Sequence, residues 1–382
     1  MASDAERRRG LFFVGAAVAC VGFAMALQMG LNANFLADDM KLSGFQLGAL
    51  EAVRESCGIL ALGVLAVLAG FAEPLVGAGV LLLVAVGISS YAFVPTYVWL
   101  VATSVVWSQG LHVWMPLPNS MTLSLSERGR AGYRLGQVRA AGSLGFGAGI
   151  LVALLLTLVG VQLRPMFLVA GAAALAAAGA CCGIPRGLKT PGPRLVVRRR
   201  YGLYYVLCFL EGWRKQIFMC FAGFLLVRVY GARLEAILIL HGVVQVIGYF
   251  AAPHVGRLID RVGERRVLVF YFACLTVFFV GYAFIRSRAV LYVLFVVDNA
   301  YFVFATALTT YVNRIAPPSE HTPTLSMGVA TSHVSAVAMP LVGGLLWTHL
   351  GYQWAFLAGS AAAALSVGVA MLLPRKELAI EA

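Results

Sequence analysis

Apolar stretches of about 20 residues recur along the whole chain, and short polar segments separate them. A helix needs about 20 apolar residues to cross the hydrocarbon core of a bilayer, which is about 30 Å thick. Because the connections are short, consecutive helices should be antiparallel neighbours. The pattern predicts membrane-spanning helices at residues 11–36, 44–70, 75–95, 97–122, 136–160, 163–184, 202–228, 232–255, 267–286, 289–313, 323–349 and 351–373.

The composition agrees with this pattern. The chain has 382 residues, of which 61% are hydrophobic and 12% are charged, whereas a soluble domain carries about 25% charged residues. Too few polar side chains remain to cover a water-facing surface. We therefore predict an all-α integral membrane protein of about 12 transmembrane helices, and a single N-terminal signal segment cannot account for so many apolar stretches.

Basic residues are distributed unevenly between the two sides of the predicted membrane. Twenty of the 29 lysines and arginines fall on the side of the N-terminus, six fall on the opposite side, and three lie inside helices. The excess of basic residues marks the cytoplasmic side. We expect a multi-pass protein of the inner (cytoplasmic) membrane with both termini in the cytoplasm. The net charge of +13 then reflects topology, and we exclude nucleic acid as a partner.

One long polar connection divides the chain near its middle. Residues 185–200 contain three prolines and six basic residues. We predict an N-terminal six-helix bundle over residues 1–184, a cytoplasmic basic linker over 185–200, and a C-terminal six-helix bundle over 201–382. Prolines inside helices predict kinks at Pro116, Pro118, Pro253 and Pro340.

A short motif follows the predicted eighth helix. Gly256, Asp260, Arg261, Gly263 and Arg265 form the pattern G-x-x-x-D-R-x-G followed by basic residues. This pattern resembles the loop signature of the major facilitator superfamily. The resemblance implies two pseudo-symmetric six-helix bundles and a gating role for the loop. The alternative is that these charges only set topology and cap a helix.

Two further features of the sequence bear on this resemblance. Gly70 and Gly77 repeat the seven-residue glycine spacing in the first half, but Pro74 and Leu75 replace the expected Asp and Arg. The segment Arg139-Ala-Ala-Gly142-Ser143-Leu-Gly145 is similar to a segment of several sugar, nucleoside and aromatic-acid symporters of the superfamily. Neither motif specifies a substrate.

Charged residues inside predicted helices are the main candidates for function, because each costs at least about 2.5 kcal/mol at the centre of a bilayer. Glu51 and Arg54 lie three residues apart on the second helix, and Glu211 and Arg214 do so on the seventh. Such pairs share one helix face and can neutralise each other, which is the structural alternative for both. Lys215 adds a second cation on the seventh helix, so we predict that Arg214, Lys215 and Arg54 bind an anionic or zwitterionic solute.

Other polar residues near the middle of the membrane complete the predicted site. A buried carboxylate takes up a proton readily unless a cation compensates it, so Asp298 is either a proton carrier or a counter-ion of Arg214 or Lys215. The predicted proton-coupling residues are Glu211, Asp298, Glu51 and His333. The predicted substrate-binding residues also include His112, Gln28, Asn32 and Asn299. Gln28 and Asn32 share a helix face and could equally be polar packing between helices, and His112 and His333 could be satisfied polar contacts rather than proton relays.

These features predict a secondary active transporter that moves a small organic solute by alternating access and is coupled to protons. We expect a monomer embedded in the lipid bilayer, without a cofactor or a metal. The sequence contains no phosphate-binding G-x-x-x-x-G-K-[ST] loop and no H-E-x-x-H motif, so we do not expect an enzyme. The alternative function is a transporter-like receptor or assembly factor that moves no solute.

Overall fold

The computed structural model describes residues 4–127, 130–189 and 197–374. Apart from one isolated β-bridge between Ala72 and Lys189, the regular secondary structure in these ranges is helical. Helices form because the long apolar segments must satisfy their backbone hydrogen bonds internally in lipid. The α-helices are α1 (Asp4–Asn34), α2 (Gly44–Val67), α3 (Glu73–Ser90), α4 (Tyr97–Trp114), α5 (Leu117–Leu125), α6 (Ala131–Leu158), α7 (Leu163–Cys181), α8 (Gly202–Arg228), α9 (Leu234–Val262), α10 (Glu264–Phe284), α11 (Arg288–Tyr301), α12 (Thr306–Ile315), α13 (Pro318–Leu350) and α14 (Tyr352–Met371).

The predicted all-α membrane fold is confirmed. Within the described ranges, nine helical segments are long and apolar enough to cross a membrane. The helices α2 and α8 are also long enough, but each carries three charged residues near its middle. With these two helices and the α4–α5 segment, the helices are consistent with twelve spans.

Two of the predicted spans are each built from two helices. The fourth breaks between α4 and α5 at Pro116, where we predicted a kink. The tenth breaks between α11 and α12 at a 3₁₀ turn, Phe302–Ala305, and neither proline nor glycine in that turn signals it. By contrast, α9 and α13 continue as helices through Pro253 and Pro340.

The predicted loop after the eighth span is shorter than we expected. Helix α9 continues to Val262 rather than ending near residue 255, so Gly256, Asp260 and Arg261 are helical. Only Gly263 lies in the turn, where its φ of +83° is a conformation that favours glycine. The placement of Gly256, Asp260 and Arg261 in a loop, which followed from a predicted helix end at residue 255, was therefore wrong.

The chain clusters into two compact units. Unit 1 comprises Met1–Phe35, Cys57–Pro193 and Arg233–Gly242. In this unit α1 packs against α6 and α7, and α3 packs against α4 and α7. Small residues allow the close approach of α1 and α6, since a Cβ atom at Gly145 would overlap the carbonyl oxygen of Ala19.

Unit 2 comprises Leu36–Ser56, Arg194–Ala232 and Val243–Ala382. In this unit α8 packs against α13 and α14, and α10 packs against α14. The first part of α2 also belongs to unit 2, where the amide of Phe45 donates a hydrogen bond to the hydroxyl of Thr348 on α13 (3.0 Å). This unit holds most of the charged residues predicted for function.

Candidate solute cavity and its charges

A cavity of about 450 Å³ lies within unit 2. Its walls are α8, α13 and the broken tenth span, where the 3₁₀ turn interrupts the regular packing of helices. Lys215 lies roughly 20 Å along α8 from its first residue, near the middle of a membrane-spanning helix. The cavity is lined by Tyr204, Cys208, Glu211, Gly212, Lys215, Met219, Asn299, Phe302, Ala305, Leu308, Thr309, Gly328, Val329 and Ser332.

The two adjacent cations of α8 face different environments. Successive residues on an α-helix point about 100° apart. Lys215 is exposed and lines the cavity, whereas Arg214 is 0% exposed and faces the interior of the unit. The predicted positive wall is therefore corrected, because Lys215 lines the cavity and Arg214 lies behind it.

Arg214 is held by side chains from two helices. Its Nη2 donates to Oε1 of Glu211 (2.5 Å) and to the hydroxyl of Tyr271 on α10 (3.1 Å), and its Nε donates to Oε2 of Glu211 (3.3 Å). The Tyr271 hydroxyl in turn donates to Oε1 of Glu211 (2.9 Å). Tyr271 was not predicted, since a contact over 57 residues leaves no local pattern in the sequence.

Asp298 lies next to this group but is bound less directly. Its Oδ1 is 3.6 Å from Nη1 of Arg214, and both side chains are 0% exposed. Among the described residues, the two carboxylate oxygens of Asp298 have no hydrogen-bond partner, and Nη1 of Arg214 has none either. The ring of Phe302, at the break of the tenth span, lies 4.6 Å from the guanidinium carbon. We call Arg214, Glu211, Tyr271 and Asp298 the Arg214 cluster.

A second group of charges lies on α2 and α13 in the same unit. Arg54 forms an ion pair with Glu51 and lies 3.8 Å from Glu55. Nδ1 of His333 is 3.3 Å from Oε2 of Glu55. The side chain of Arg54 is 16% exposed and already contacts two carboxylates, which is the structural alternative that we considered for it. We call these four residues the Arg54 cluster.

The remaining predicted polar residues make contacts within their own helices. Gln28 donates to Oδ1 of Asn32 (3.4 Å). Nδ1 of His112 lies 2.8 Å from the carbonyl oxygen of Ser108. Asn299 donates to the carbonyl oxygen of Phe295 (3.2 Å) and also lines the cavity. Of these four residues, Asn299 belongs to the cavity of unit 2.

The predicted loop motif lies at the ends of α9 and α10, away from the residues that line the cavity. Asp260 and Arg261 are exposed on the last turn of α9, and Arg265 is partly buried on α10. The neighbouring Glu264, which we had not selected, pairs with Arg314 on α12 (3.1 Å). That pair joins the start of α10 to the end of the broken tenth span.

The end of the basic linker is attached to α13. Glu320 accepts hydrogen bonds from Arg198 (3.0 Å), Arg200 (2.6 Å) and the hydroxyl of Tyr201 (2.8 Å). The hydrogen bond from Tyr201, followed by that from Arg200, lowers the pKa of Glu320 below its ordinary value. The contact is therefore ionised and intact at neutral pH.

Comparison with known proteins shows which family and which structures this chain resembles. Residues 204–381 match the family model described as Major Facilitator Superfamily. No curated protein sequence matches the chain. The structure is similar to that of the nucleoside transporter NupG, at 13% identity and a TM-score of 0.77, over 94% of this chain and 98% of that one.

Two other solved structures agree over nearly the whole chain. One is a bacterial homologue of the human lysosomal transporter Spinster, at 12% identity and a TM-score of 0.74, over 97% of both chains. The other is a D-xylose–proton symporter, at 13% identity and a TM-score of 0.73, over 97% of this chain and 98% of that one. The fold is therefore that of a membrane transporter. The resemblance to the major facilitator superfamily, predicted from the loop motif, is confirmed.

Proposed function

We propose that this protein is a secondary transporter that moves a small organic anion or zwitterion by alternating access. We propose that this movement is coupled to protons, either by symport or by antiport. The observation that carries this proposal is the cavity of unit 2, which has an exposed cation, Lys215, and a carboxylate, Glu211, in its wall. An exposed lysine in the middle of a membrane helix is costly. A solute that carries a carboxylate or a phosphate is a natural partner for it.

Other side chains in the cavity support a solute with several polar groups. Asn299, Thr309 and Ser332 can donate or accept hydrogen bonds, and Tyr204 and Phe302 offer aromatic faces. The solutes named for the similar structures are nucleosides and D-xylose. We propose that the present solute is of comparable size and differs from these by a negative charge that pairs with Lys215.

The charges of the Arg214 cluster support coupling to protons. Two carboxylates, Glu211 and Asp298, surround one guanidinium in a region that is almost fully buried. An uncompensated buried charge is costly, so the cluster is neutral when one carboxylate holds a proton. Glu211 lines the cavity while Asp298 is enclosed. We propose that Glu211 exchanges the proton with the cavity and that Asp298 sets the charge balance around Arg214.

The test begins with the solute. A thermal-shift screen of the purified protein against anionic metabolites, amino acids, sugars and nucleosides identifies a ligand. Binding and counterflow in proteoliposomes are then measured for Lys215→Met and for Lys189→Met, a control at the start of the linker. We expect Lys215→Met to weaken binding by about 1–3 kcal/mol through loss of a charge-assisted bond, and Lys189→Met to bind like the wild type.

Proton coupling is tested separately. We expect Asp298→Asn to keep counterflow, which needs no gradient, and to lose the dependence of uptake on a pH gradient. Glu235→Gln, which removes a carboxylate from an exposed pair with Arg233, is the control. Equal pH dependence in wild type and Asp298→Asn would reject the coupling role. Ligand binding without solute movement under any gradient would favour the receptor alternative.

The orientation also remains a proposal. We propose that both termini and residues 185–200 face the cytoplasm, because basic residues concentrate on that side. A Gly192→Cys variant without native cysteines should be protected from an impermeant thiol reagent in intact cells. Labelling of that cysteine from outside would reverse the orientation.

A further inference from the structure

A second concave surface lies in unit 1 and shares no lining residue with the cavity of unit 2. It is a groove of about 460 Å³ between α1 and α6. Most of its lining is apolar or small, and three polar side chains, Arg8, Arg134 and Gln137, lie at one end. No acidic residue is among those that line it.

The charged end of the groove lies where both helices begin. Arg8 is on the second turn of α1, and Arg134 is on the first turn of α6. The first and fifth spans of an antiparallel series run in the same direction, so both helix N-termini are at the same membrane face. Their dipoles add positive potential to that of the arginines. This end of the groove therefore favours an anion.

Arg134 is held in place rather than extended into solvent. It donates to Oε1 of Gln137 (3.0 Å), its Nη2 lies 3.6 Å from Glu127, and its side chain is 19% exposed. Its buried Nε has no acceptor among the described residues. Arg8 is exposed and lies across the groove. Two guanidinium groups, one of them fixed, can share a phosphate.

The apolar part of the groove continues along the helices toward the middle of the membrane. Gly15, Ala16 and Ala19 form a shallow floor on α1 with Phe12, which is 70% exposed, at its rim. Further along α6, Leu144 is 76% exposed and Leu151 is 56% exposed. Exposed leucines at this depth fit a neighbouring hydrocarbon chain. A free inorganic anion would use only the charged end.

We propose that this groove binds one anionic phospholipid, with its phosphate between Arg8 and Arg134 and one acyl chain along Gly15 and Ala19. The charge at one end and the apolar floor below it match the two parts of such a lipid. The site lies in unit 1 and does not depend on the transport proposal, which rests on unit 2.

The experiment is native mass spectrometry of the purified full chain with phosphatidylglycerol, and with phosphatidylcholine of the same acyl chains as the uncharged probe. We expect the wild type to retain one phosphatidylglycerol in preference to phosphatidylcholine. The double variant Arg8→Gln, Arg134→Gln should weaken this binding about 30-fold, because each basic residue near an anionic surface contributes about a factor of five to the affinity. The matched control is Arg9→Gln, on α1, with Arg130→Gln, at the residue before α6; it makes the same change of charge at residues that do not line the groove.

A second variant tests the acyl chain. A Cβ atom at Gly15 meets only Ala141, at 4.0 Å, so Gly15→Leu fills the groove without displacing the backbone. We expect it to lose phosphatidylglycerol while keeping both arginines. Competition by glycerol phosphate alone at equal concentration would assign the charged end to a free anion and reject the proposal. The proposal would also be rejected if the two double arginine variants bound phosphatidylglycerol equally well, or if the wild type did not prefer phosphatidylglycerol to phosphatidylcholine.

Discussion

Replacement of Arg214 by methionine should destabilise unit 2 strongly. Arg214 is 0% exposed and makes three hydrogen bonds, two with Glu211 and one with Tyr271. It also lies 3.6 Å from Asp298. Methionine retains most of the apolar stem but removes the only charge that compensates two carboxylates within this cluster.

The expected size of the effect follows from burial. Removal of one partner from a buried ion pair costs about 3–5 kcal/mol, because the remaining charge is left without compensation. The total stability of a folded protein is about 5–15 kcal/mol. Arg214→Met should therefore remove a large share of it.

A compensated variant separates charge from packing. In Arg214→Met with Glu211→Gln and Asp298→Asn, no formal charge remains in the cluster. Neutral replacement of a whole buried ion network is often close to neutral in stability. We expect this triple variant to be more stable than Arg214→Met alone, by about 2 kcal/mol or more. Lys215→Met, one residue away but facing the cavity, leaves the Arg214 cluster intact and should not be destabilising.

The assay is unfolding by sodium dodecyl sulfate in mixed micelles, followed by tryptophan fluorescence. The charge argument predicts the order wild type, then triple variant, then Arg214→Met. A triple variant no more stable than Arg214→Met would show that the loss comes from packing. Wild-type stability of Arg214→Met itself would refute the reasoning entirely.

Three further predictions concern the backbone and the linker. Gly145→Ala should lower the free energy of unfolding by about 1–3 kcal/mol, because its Cβ atom overlaps the α1 backbone. Gly147→Ala should leave it unchanged in the same unfolding assay, because nothing lies within 4 Å of its Cβ atom. Gly263→Ala should be destabilising by about 1–2 kcal/mol because of its positive φ, and Gly256→Ala, inside α9, should be neutral or stabilising. Glu320→Gln should speed tryptic cleavage at the linker arginines, because it weakens their attachment to α13. In the wild type the attachment should weaken only as the pH falls below 4.5, the ordinary pKa of a glutamate, because the pKa of Glu320 is lowered.

The sequence predicted the helices well because hydropathy over some 20 residues reports membrane burial directly. Helix α8 begins and ends at the predicted residues, Gly202 and Arg228. Helix ends inside polar loops were less predictable, as the extension of α9 to Val262 shows. There the polar residues that suggested a loop form the last helical turns. The break at Phe302–Ala305 left no signal, since its residues are aromatic or apolar and none is proline or glycine.

The candidate site was predicted only in part. The three-residue spacing of Glu211 and Arg214 is a local pattern, and the structure confirms that these two side chains pair. Asp298 was selected because a carboxylate inside a helix is unusual, and one of its two expected roles, counter-ion of Arg214, agrees with the 3.6 Å contact. The contribution of Tyr271 depends on how α10 packs against α8, which no local spacing encodes. Arg214 faces the interior and Lys215 faces the cavity because of the rotation of α8 about its axis, which hydropathy does not specify.

The structure places both charge clusters in the same unit, although the sequence suggested one for each half. The reason is that α2 passes from unit 2 to unit 1 between Ser56 and Cys57, so Glu51, Arg54 and Glu55 lie on its first part. Each cluster contains two carboxylates and one guanidinium, and each is neutral only when it holds one proton. In the Arg54 cluster an imidazole, that of His333, lies beside Glu55. The Arg214 cluster has no imidazole among its four side chains. Only the Arg214 cluster also lines the cavity, through Glu211. A solute in this cavity can therefore contact the Arg214 cluster directly through Glu211, whereas no residue of the Arg54 cluster lines the cavity wall.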